Sequence, residues 1–466
     1  MDDYSYKYKN TIENLYGEKR MHDIDELLLE DNILPHIYSI KDRVDMTKYD
    51  VYSIDPEGCE DADDAFSIYM DNNKLFLAIH IADPTEYINI ESSLWKDIEI
   101  RLVTKYPSHK KPIHMIPDII MQKSSLIVND YGNIKLAISI ITEIDKESYK
   151  PIGNIQLSFT KIKLEKSHSL SYKNASDSHK SNEVLSYGIK ITESLKTIRE
   201  KKTKGIVLNE ISNSYTKSKN DTVYLHKDTK TEKLMKEMIA EFAIFANTFV
   251  GEYLKINFEG KGLYRICNAS KWLESLYDDI TGNELLNEII VNGIKAEYMS
   301  MVSSHDLIGS PEYCHFTSPI RRMSDCVCHY LLKYIYLRNK NNELKVPFTN
   351  DELEIYSNNC MYITKKMKNI QYKDTKFRII QAINTMLKNN EIVNIGYYIS
   401  GYTGLFLNII INSINEHSVY ISYTLRIPNL KTIYKIKEIN YLVISRVNCI
   451  NKFDQGSIPE LDEIYM

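Results

Sequence analysis

Asp55-Pro56-Glu57-Gly58-Cys59-Glu60-Asp61-Ala62-Asp63-Asp64 places six carboxylates in ten positions, and no basic residue lies between Lys48 and Lys74 to neutralise them. Carboxylates this close repel one another, and burying one without a partner is costly. The stretch is therefore either solvated or bound to cations. Its flanks read as strands: Val51-Tyr52-Ser53-Ile54 before it, and Phe66, Ile68 and Met70 alternating after it. A second strand, Leu75 to Ala82, follows a turn at Asp71-Asn72-Asn73. A loop gripped between core strands can aim its acids at one point. Oxygen ligands at tight spacing suit Mg²⁺ or Mn²⁺ rather than zinc. Two such ions roughly 3.5–4 Å apart can activate a water and stabilise the leaving oxygen of a phosphodiester. On these residues alone a solvated acidic loop and a metal site are equal alternatives. The spacing excludes an EF-hand.

The chain of 466 residues is 43% apolar and 26% charged, enough for a sizeable core and unlike a disordered chain. Its net charge of -5 is unevenly distributed. Residues 360–452 hold thirteen Lys or Arg against four acids, so this segment is +9 and the remainder -14. An acidic part suited to metals joined to a basic part suited to phosphates fits a nucleic-acid enzyme. Seven scattered cysteines with no CxxC pair suit reduced thiols in an intracellular protein. Cys326, Cys328 and His329 point apart on a helix and read as core residues. No secretory or organellar signal and no membrane-spanning run is read, so a soluble, cytoplasmic protein, monomeric and without a membrane partner, is expected.

Residues 1–49 read as a short helical lead-in, 50–388 as a mixed α/β domain with a catalytic site, and 389–466 as a small β-barrel. Within the central part, His80 reads as a strand-end histidine held by core hydrogen bonds. Thr104-Lys105-Tyr106-Pro107 with His109, Lys110 and Lys111 joins an aromatic ring to cations, a combination suited to single-stranded nucleic acid. Ser167 to Asn182, rich in Ser, Lys, Asn and His, reads as a surface loop. Helical apolar periodicity covers 183–202 and the set Leu234, Met238, Phe242, Phe245, Ala246, Phe249 and Val250. The second informative stretch is Tyr313-Cys314-His315-Phe316-Thr317-Ser318-Pro319-Ile320-Arg321-Arg322-Met323-Ser324-Asp325. Its Ser-Pro pair predicts a helix start, with the two arginines in the first turn where a phosphate would be received. A helix over 358–388 carries Lys365 and Lys366 on a candidate phosphate track. Beyond it, four short Gly-punctuated strands predict an OB-like barrel that holds single strands.

Taken together, the aspartate loop and the Thr-Ser-Pro-Ile-Arg motif resemble the catalytic domain of the ribonuclease II / ribonuclease R family of 3′→5′ exoribonucleases over about residues 51–385. The resemblance also takes in His80-Ile81-Ala82-Asp83-Pro84-Thr85, Thr104 to Pro107, Pro112 to Pro117, Ala246-Asn247 and Leu263-Tyr264-Arg265. It implies processive, Mg²⁺-dependent hydrolysis of single-stranded RNA to nucleoside 5′-monophosphates in a channel. Asp55 and Asp64 would hold one ion, and Asp61 and Asp63 would complete the site for a second. Asp63, Arg321 and Tyr106 are the expected catalytic set, with Arg321 stabilising charge on the phosphoryl group and Tyr106 clamping the 3′-terminal nucleotides. Tyr106, Tyr313, Arg322, Lys365 and Lys366 are the expected RNA contacts. The chain departs from the family pattern at Met323 and Tyr330, lacks a glutamate near Lys365 to Asp374, and has a lead-in too short for two cold-shock barrels. An RNA-binding scaffold with an inactive domain of the same fold, and a nuclease acting on DNA, are the competing readings.

Overall fold

The computed structural model describes residues 36–108, 111–202, 214–219, 222–275, 293–341, 343–403, 406–426 and 438–444, with Tyr16, Ile289, Val447–Asn448 and Glu463–Ile464. Of the expected helical lead-in over 1–49, residues 1–35 apart from Tyr16 lie outside the described residues, as do His109 and Lys110, whereas 36–49 hold no helix and supply a strand, Val44–Asp45, to the main sheet.

Strands β1 (Val44–Asp45), β2 (Ser53–Asp55), β3 (Asp64–Asp71) and β4 (Lys74–Ala82) are followed by helices α1 (Ser93–Arg101) and α2 (Asp118–Ser124), then β5 (Ile134–Ile144) and β6 (Pro151–Lys163). A five-stranded sheet runs β1-β6-β5-β4-β3, antiparallel except where β1 meets β6. Asn72 and Asn73, at φ 47° and 61°, close the β3–β4 hairpin in the left-handed region that Asn tolerates. Ile79 faces Ile140 and Ile81 faces Ile138 across β4 and β5, all buried. His80 is also buried, between Ser67 Oγ (3.1 Å) and Ser139 Oγ (2.7 Å), and burial lowers its pKa to about 3. It is a core residue, as its position in the strand predicts.

Ser167 to Asn182 is not a loop. It holds β7 (Ser169–Ser171) and α3 (Tyr172–Ser178), with Ala175 and Ser176 buried. β7 pairs in parallel with β2, setting Ser171 opposite Asp55, and the Ser171 side chain caps α3 through Asn174 N–H. The pairing is made by backbone groups and a serine cap, which apolar patterning does not reveal.

The chain continues through α4 (Glu183–Lys202), the hairpin β8 (Tyr215–Lys219) and β9 (Thr222–His226), and α5 (Lys230–Asn257). Thr229 and Glu232 start α5 with a capping box, and Phe242 of this helix meets Phe66 of β3 edge to face at 5.4 Å. β10 (Lys261–Ile266) pairs with β11 (Glu297–Met301), and α7 (Met323–Arg338) follows α6 (Ser270–Ser275). α7 is buried on nearly all sides and includes Cys326, Cys328, His329 and Lys333 in its core face. The Lys333 ammonium meets Asp83 Oδ1 at 3.0 Å and Glu86 Oε2 at 2.8 Å, while Arg43 bonds the same two acids at 2.6 Å each. These cations hold the Asp83 carboxyl well below its usual range despite burial. A buried network with every charge paired fixes α7 against the end of β4.

α8 (Asn350–Lys388) spans 39 residues, and its last turns join Val223 and Leu225 of β9 in a second core beneath the small sheet. That sheet comprises β12 (Val393–Thr403), β13 (Phe406–Ile414), β14 (His417–Arg426) and β15 (Ile439–Ile444), antiparallel in the order β14-β13-β12-β15. The expected strands are present. Among the described residues they form an open four-stranded sheet rather than a closed barrel, because β14 and β15 do not pair.

Gly251 of α5 lies against the backbone that leads to the arginine motif. A Cβ there would stand 2.9 Å from the Glu312 carbonyl carbon and oxygen. Gly251→Ala gains helix propensity of up to about 1 kcal/mol, but the backbone clash outweighs it by roughly 1–3 kcal/mol. The variant is expected to melt several degrees below the parent, and a higher melting temperature would refute the close approach.

Candidate active site

The acid loop is strung between the end of β2 and the start of β3, with Gly58 at φ +78°. Its four aspartates meet different partners. Asp63, buried, accepts from Ile320 N–H (2.8 Å) at one oxygen and from Arg321 Nε (2.9 Å) at the other. Asp61 accepts from the Tyr106 hydroxyl at 2.6 Å. Asp55 Oδ2 is buried with no hydrogen-bond partner among the described residues. Burial and the neighbouring Asp64, Asp63 and Asp61 carboxylates push Asp55 up to about 8. Burial raises Asp63 to about 7 and Asp64 to about 6 against the pull of Arg321 and Arg322. Among the described residues no three of these carboxylates have oxygens within 4.8 Å of one another, yet Asp64, Asp63 and Asp61 all act electrostatically on Asp55.

Arg321 is brought to the loop by strand-like contacts that composition does not announce. Thr104 N–H donates to the Arg321 carbonyl (3.0 Å), Met323 N–H donates to Leu102 O (2.9 Å), and Val103 bridges to Arg322. The Tyr106 segment and the arginine motif therefore lie side by side. The predicted helix start is displaced: α7 begins at Met323 with Arg322 as N-cap, so the arginines precede the first turn. Asp325 takes the place at that helix end, accepting Ser318 N–H at 2.7 Å and Arg322 at 2.8 Å. The first-turn anion position is filled by the chain's own carboxylate, and Arg321 faces the acids with its side chain 45% exposed.

The remaining expected contacts divide. Tyr106 is tied by its hydroxyl to Asp61 rather than standing free. Tyr313 is buried, its hydroxyl accepting from Asn247 Nδ2 (3.1 Å), which places it in the layer behind the site. Lys365 and Lys366 are exposed on α8, and Lys366 is among the charges that depress Lys105, after burial and Arg101.

Two residues escaped sequence reasoning. Asp374 of α8 is buried and accepts Ser108 N–H (2.9 Å), Ser108 Oγ (2.5 Å) and the Tyr16 hydroxyl (3.1 Å), anchoring the Tyr106 segment. Tyr172 opens α3 beside Asp64 and Asp55, which with burial raise its phenol pKa. A cavity of about 470 Å³ between α3 and the acid loop is lined by Asp55, Glu57, Cys59, Ser171, Lys173 and Asn174.

Asp55 and Asp64 are the residues best suited to a hard cation: both are oxygen donors whose charged forms burial disfavours, and Asp55 has an oxygen with no other partner. A tighter His/Asp/Glu group, His226, Asp228 and Glu232, stands on β9 and the start of α5. Its Asp228 oxygens are met by Lys236 (2.6 Å) and Tyr215 (3.0 Å), and Glu232 caps α5, so it reads as a cap and ion pair.

The chain matches the RNB domain family over residues 43–338. It is similar to ribonuclease R of Helicobacter pylori, 27% identical over 332 residues that cover 63% of this chain and 49% of that protein. The chain thus spans about half the length of that relative. In fold it is similar to Mycoplasma genitalium RNase R in complex with ribose methylated single-stranded RNA (TM-score 0.70, 18% identity, 95% of this chain and 76% of that one). It is also similar to yeast Ssd1, a pseudonuclease (TM-score 0.63, 17% identity, 85% and 51%).

The raised carboxyls give a pH dependence of definite sign. Asp55, Asp63 and Asp64 lie above the ordinary 3.8, at about 8, 7 and 6, so the folded chain binds more protons than the unfolded one across that window. Their contribution to stability falls as pH rises through it. In EDTA the melting temperature is expected to drop between pH 5 and 8. Asp55→Asn should drop less steeply and melt higher at pH 8; equal slopes for the two proteins would contradict the assignment.

Proposed function

The chain belongs to the RNB domain family of 3′→5′ exoribonucleases, and on that premise we propose that it hydrolyses single-stranded RNA from the 3′ end to nucleoside 5′-monophosphates. The observation that carries the reading is a half-buried carboxylate pair, Asp55 and Asp64, with one buried and unpartnered oxygen on Asp55, beside a guanidinium held in place by Asp63. Asp55 and Asp64 are the residues that would hold Mg²⁺ or Mn²⁺, with Asp61 and Asp63 available to a second ion in a two-metal arrangement. A bound divalent ion supplies an activated water and charge for the leaving oxygen. Arg321 offers N–H donors to the phosphoryl oxygens where negative charge grows, and needs little reorganisation because Asp63 and Ser318 already hold it. Tyr106 acts as the terminal clamp, its ring set by the hydrogen bond to Asp61. Arg322, Lys365 and Lys366 follow the backbone of the strand, and the open sheet of β12 to β15 serves as an RNA-binding module in the place of the expected OB-like barrel. A cytoplasmic, monomeric protein is part of the same reading.

Likeness in fold to a pseudonuclease supports a second reading, an RNA-binding scaffold without turnover. The presence of Asp55, Asp61, Asp63, Asp64 and Arg321 favours the enzyme.

With 5′-labelled substrates, a ladder shrinking from the 3′ end is expected for RNA in Mg²⁺, and none for DNA or in EDTA. Binding without cleavage would establish the scaffold instead. Asp64→Asn should abolish turnover while single-stranded RNA affinity changes by less than about threefold, since affinity rests on cations and stacking of roughly 1–3 kcal/mol per base. Undiminished turnover in that variant refutes the metal site. Tyr106→Ala should leave a longer final oligonucleotide, and an unaltered end product would remove the clamp.

A further inference from the structure

Beside the arginine motif, guanidinium groups outnumber the carboxylates that meet them. Arg321 is paired with Asp63 and Arg322 with Asp325. Arg265 of β10 is 7% exposed, and among the described residues no side chain or carbonyl accepts a hydrogen bond from its guanidinium. What it touches is the face of Tyr298, its partner across the β10–β11 pair, with the ring centroid 4.7 Å from Cζ.

Asp325, Asp306 and Glu297 lie in the same neighbourhood, acting with Arg265 on Tyr298, His305 and Cys267, but none of them bonds its guanidinium, and cations stand beside it. Arg322 depresses Arg265 after burial does, and the Nε of Arg322 is itself buried without a partner. Lys368 reaches the surface of α8, which packs across β10 and β11, and its ammonium is lowered by desolvation and then by Arg265. His315 is held neutral here by burial and then by Arg322 and Arg265, with its Nδ1 against the Tyr298 hydroxyl at 2.6 Å. A largely buried charge without a counter-ion is unfavourable, and the Arg265 nitrogens are not among the atoms sealed from solvent, so an anion can reach and pair them. A guanidinium lying on an aromatic face keeps its edge donors free, and their fork matches two oxygens of a phosphate.

We propose that Arg265, stacked on Tyr298 with Arg322 beside it and Lys368 at the mouth, is a subsite that grips one backbone phosphate of the substrate strand upstream of the bond being cut. The proposal rests on the exoribonuclease reading. The acid loop and Arg321 handle the scissile phosphate; Arg265, whose main electrostatic neighbours include Arg322 and no acid-loop carboxylate, serves binding and register. Its unpaired charge is a defect in the free chain that the phosphate removes.

The test is a methylphosphonate scan. Single-stranded RNAs, each with one neutral methylphosphonate linkage at a successive position from the 3′ end, are bound to the full-length protein in EDTA, to wild type, Arg265→Gln and Arg265→Lys. For wild type, one internal linkage is expected to weaken binding about tenfold or more. Arg265→Gln should bind unmodified RNA about tenfold more weakly and lose the penalty at that linkage alone, while Arg265→Lys recovers part of both. Without RNA, Arg265→Gln should melt no lower than wild type, because an unpaired buried cation is removed. RNA binding with an unchanged scan in Arg265→Gln overturns the subsite and leaves the exoribonuclease reading intact. Absence of any RNA binding by wild type overturns both. Competition by a nucleoside 5′-monophosphate that depends on Arg265, with no sensitive internal linkage, would assign the pocket to product and overturn the backbone role.

Discussion

Mutual repulsion among carboxylates confined to ten residues is the constraint on which the arrangement depends. The fold answers it differently at each position. Asp63 is neutralised by Arg321 and a backbone N–H, Asp61 is given a phenol, and Asp55 and Asp64 are left under burial with their charged forms disfavoured. Asp61 and Asp63 thus carry protein partners, while Asp55 keeps a buried oxygen with none among the described residues. A loop solvated on all sides would need none of these partners.

Arg321 can serve Asp63 because both are fastened to the same strand end. Ala82 N–H donates to the Asp63 carbonyl at 2.8 Å, and the next residue, Asp83, is the acid that Lys333 of α7 and Arg43 share. The path from the acid loop through β4, the buried ion network and α7 back to the arginine motif closes on itself. Long-range pairings in such a ring support one another, so loss of one buried partner is felt at the catalytic end as well as in stability.

Much of this was legible in the residues. Alternation in Phe66, Ile68 and Met70 and the Asn72-Asn73 turn announced the β3–β4 hairpin, and the spacing of the aspartates with the Ser-Pro-Ile-Arg stretch announced the family. The misses share a physical cause. β7 and α3 are made by backbone pairing with β2 and a serine cap, which carry no apolar signature. α7 starts later than the Ser-Pro pair predicts because Asp325 of its first turn reaches back to Ser318 N–H and holds that pair outside the helix, which opens at Met323 with no side-chain cap. Tyr313, an expected RNA contact, is buried with its hydroxyl held by Asn247, a placement its position beside the motif does not announce. Asp374 lies 266 residues from the serine it binds, a separation that periodicity cannot bridge.

The longest element has a mechanical consequence. At 39 residues α8 is a rod of about 58 Å, and it is clasped at two neighbouring points. Tyr372 bonds Ser422 Oγ in β14 (2.8 Å), while Asp374 holds Ser108, two residues past Tyr106. A displacement of β14 is thereby conveyed, through two nearby residues of a stiff lever, to the backbone two residues from Tyr106 and so to the acid loop that its hydroxyl holds, which makes the small sheet and that loop parts of one mechanical linkage.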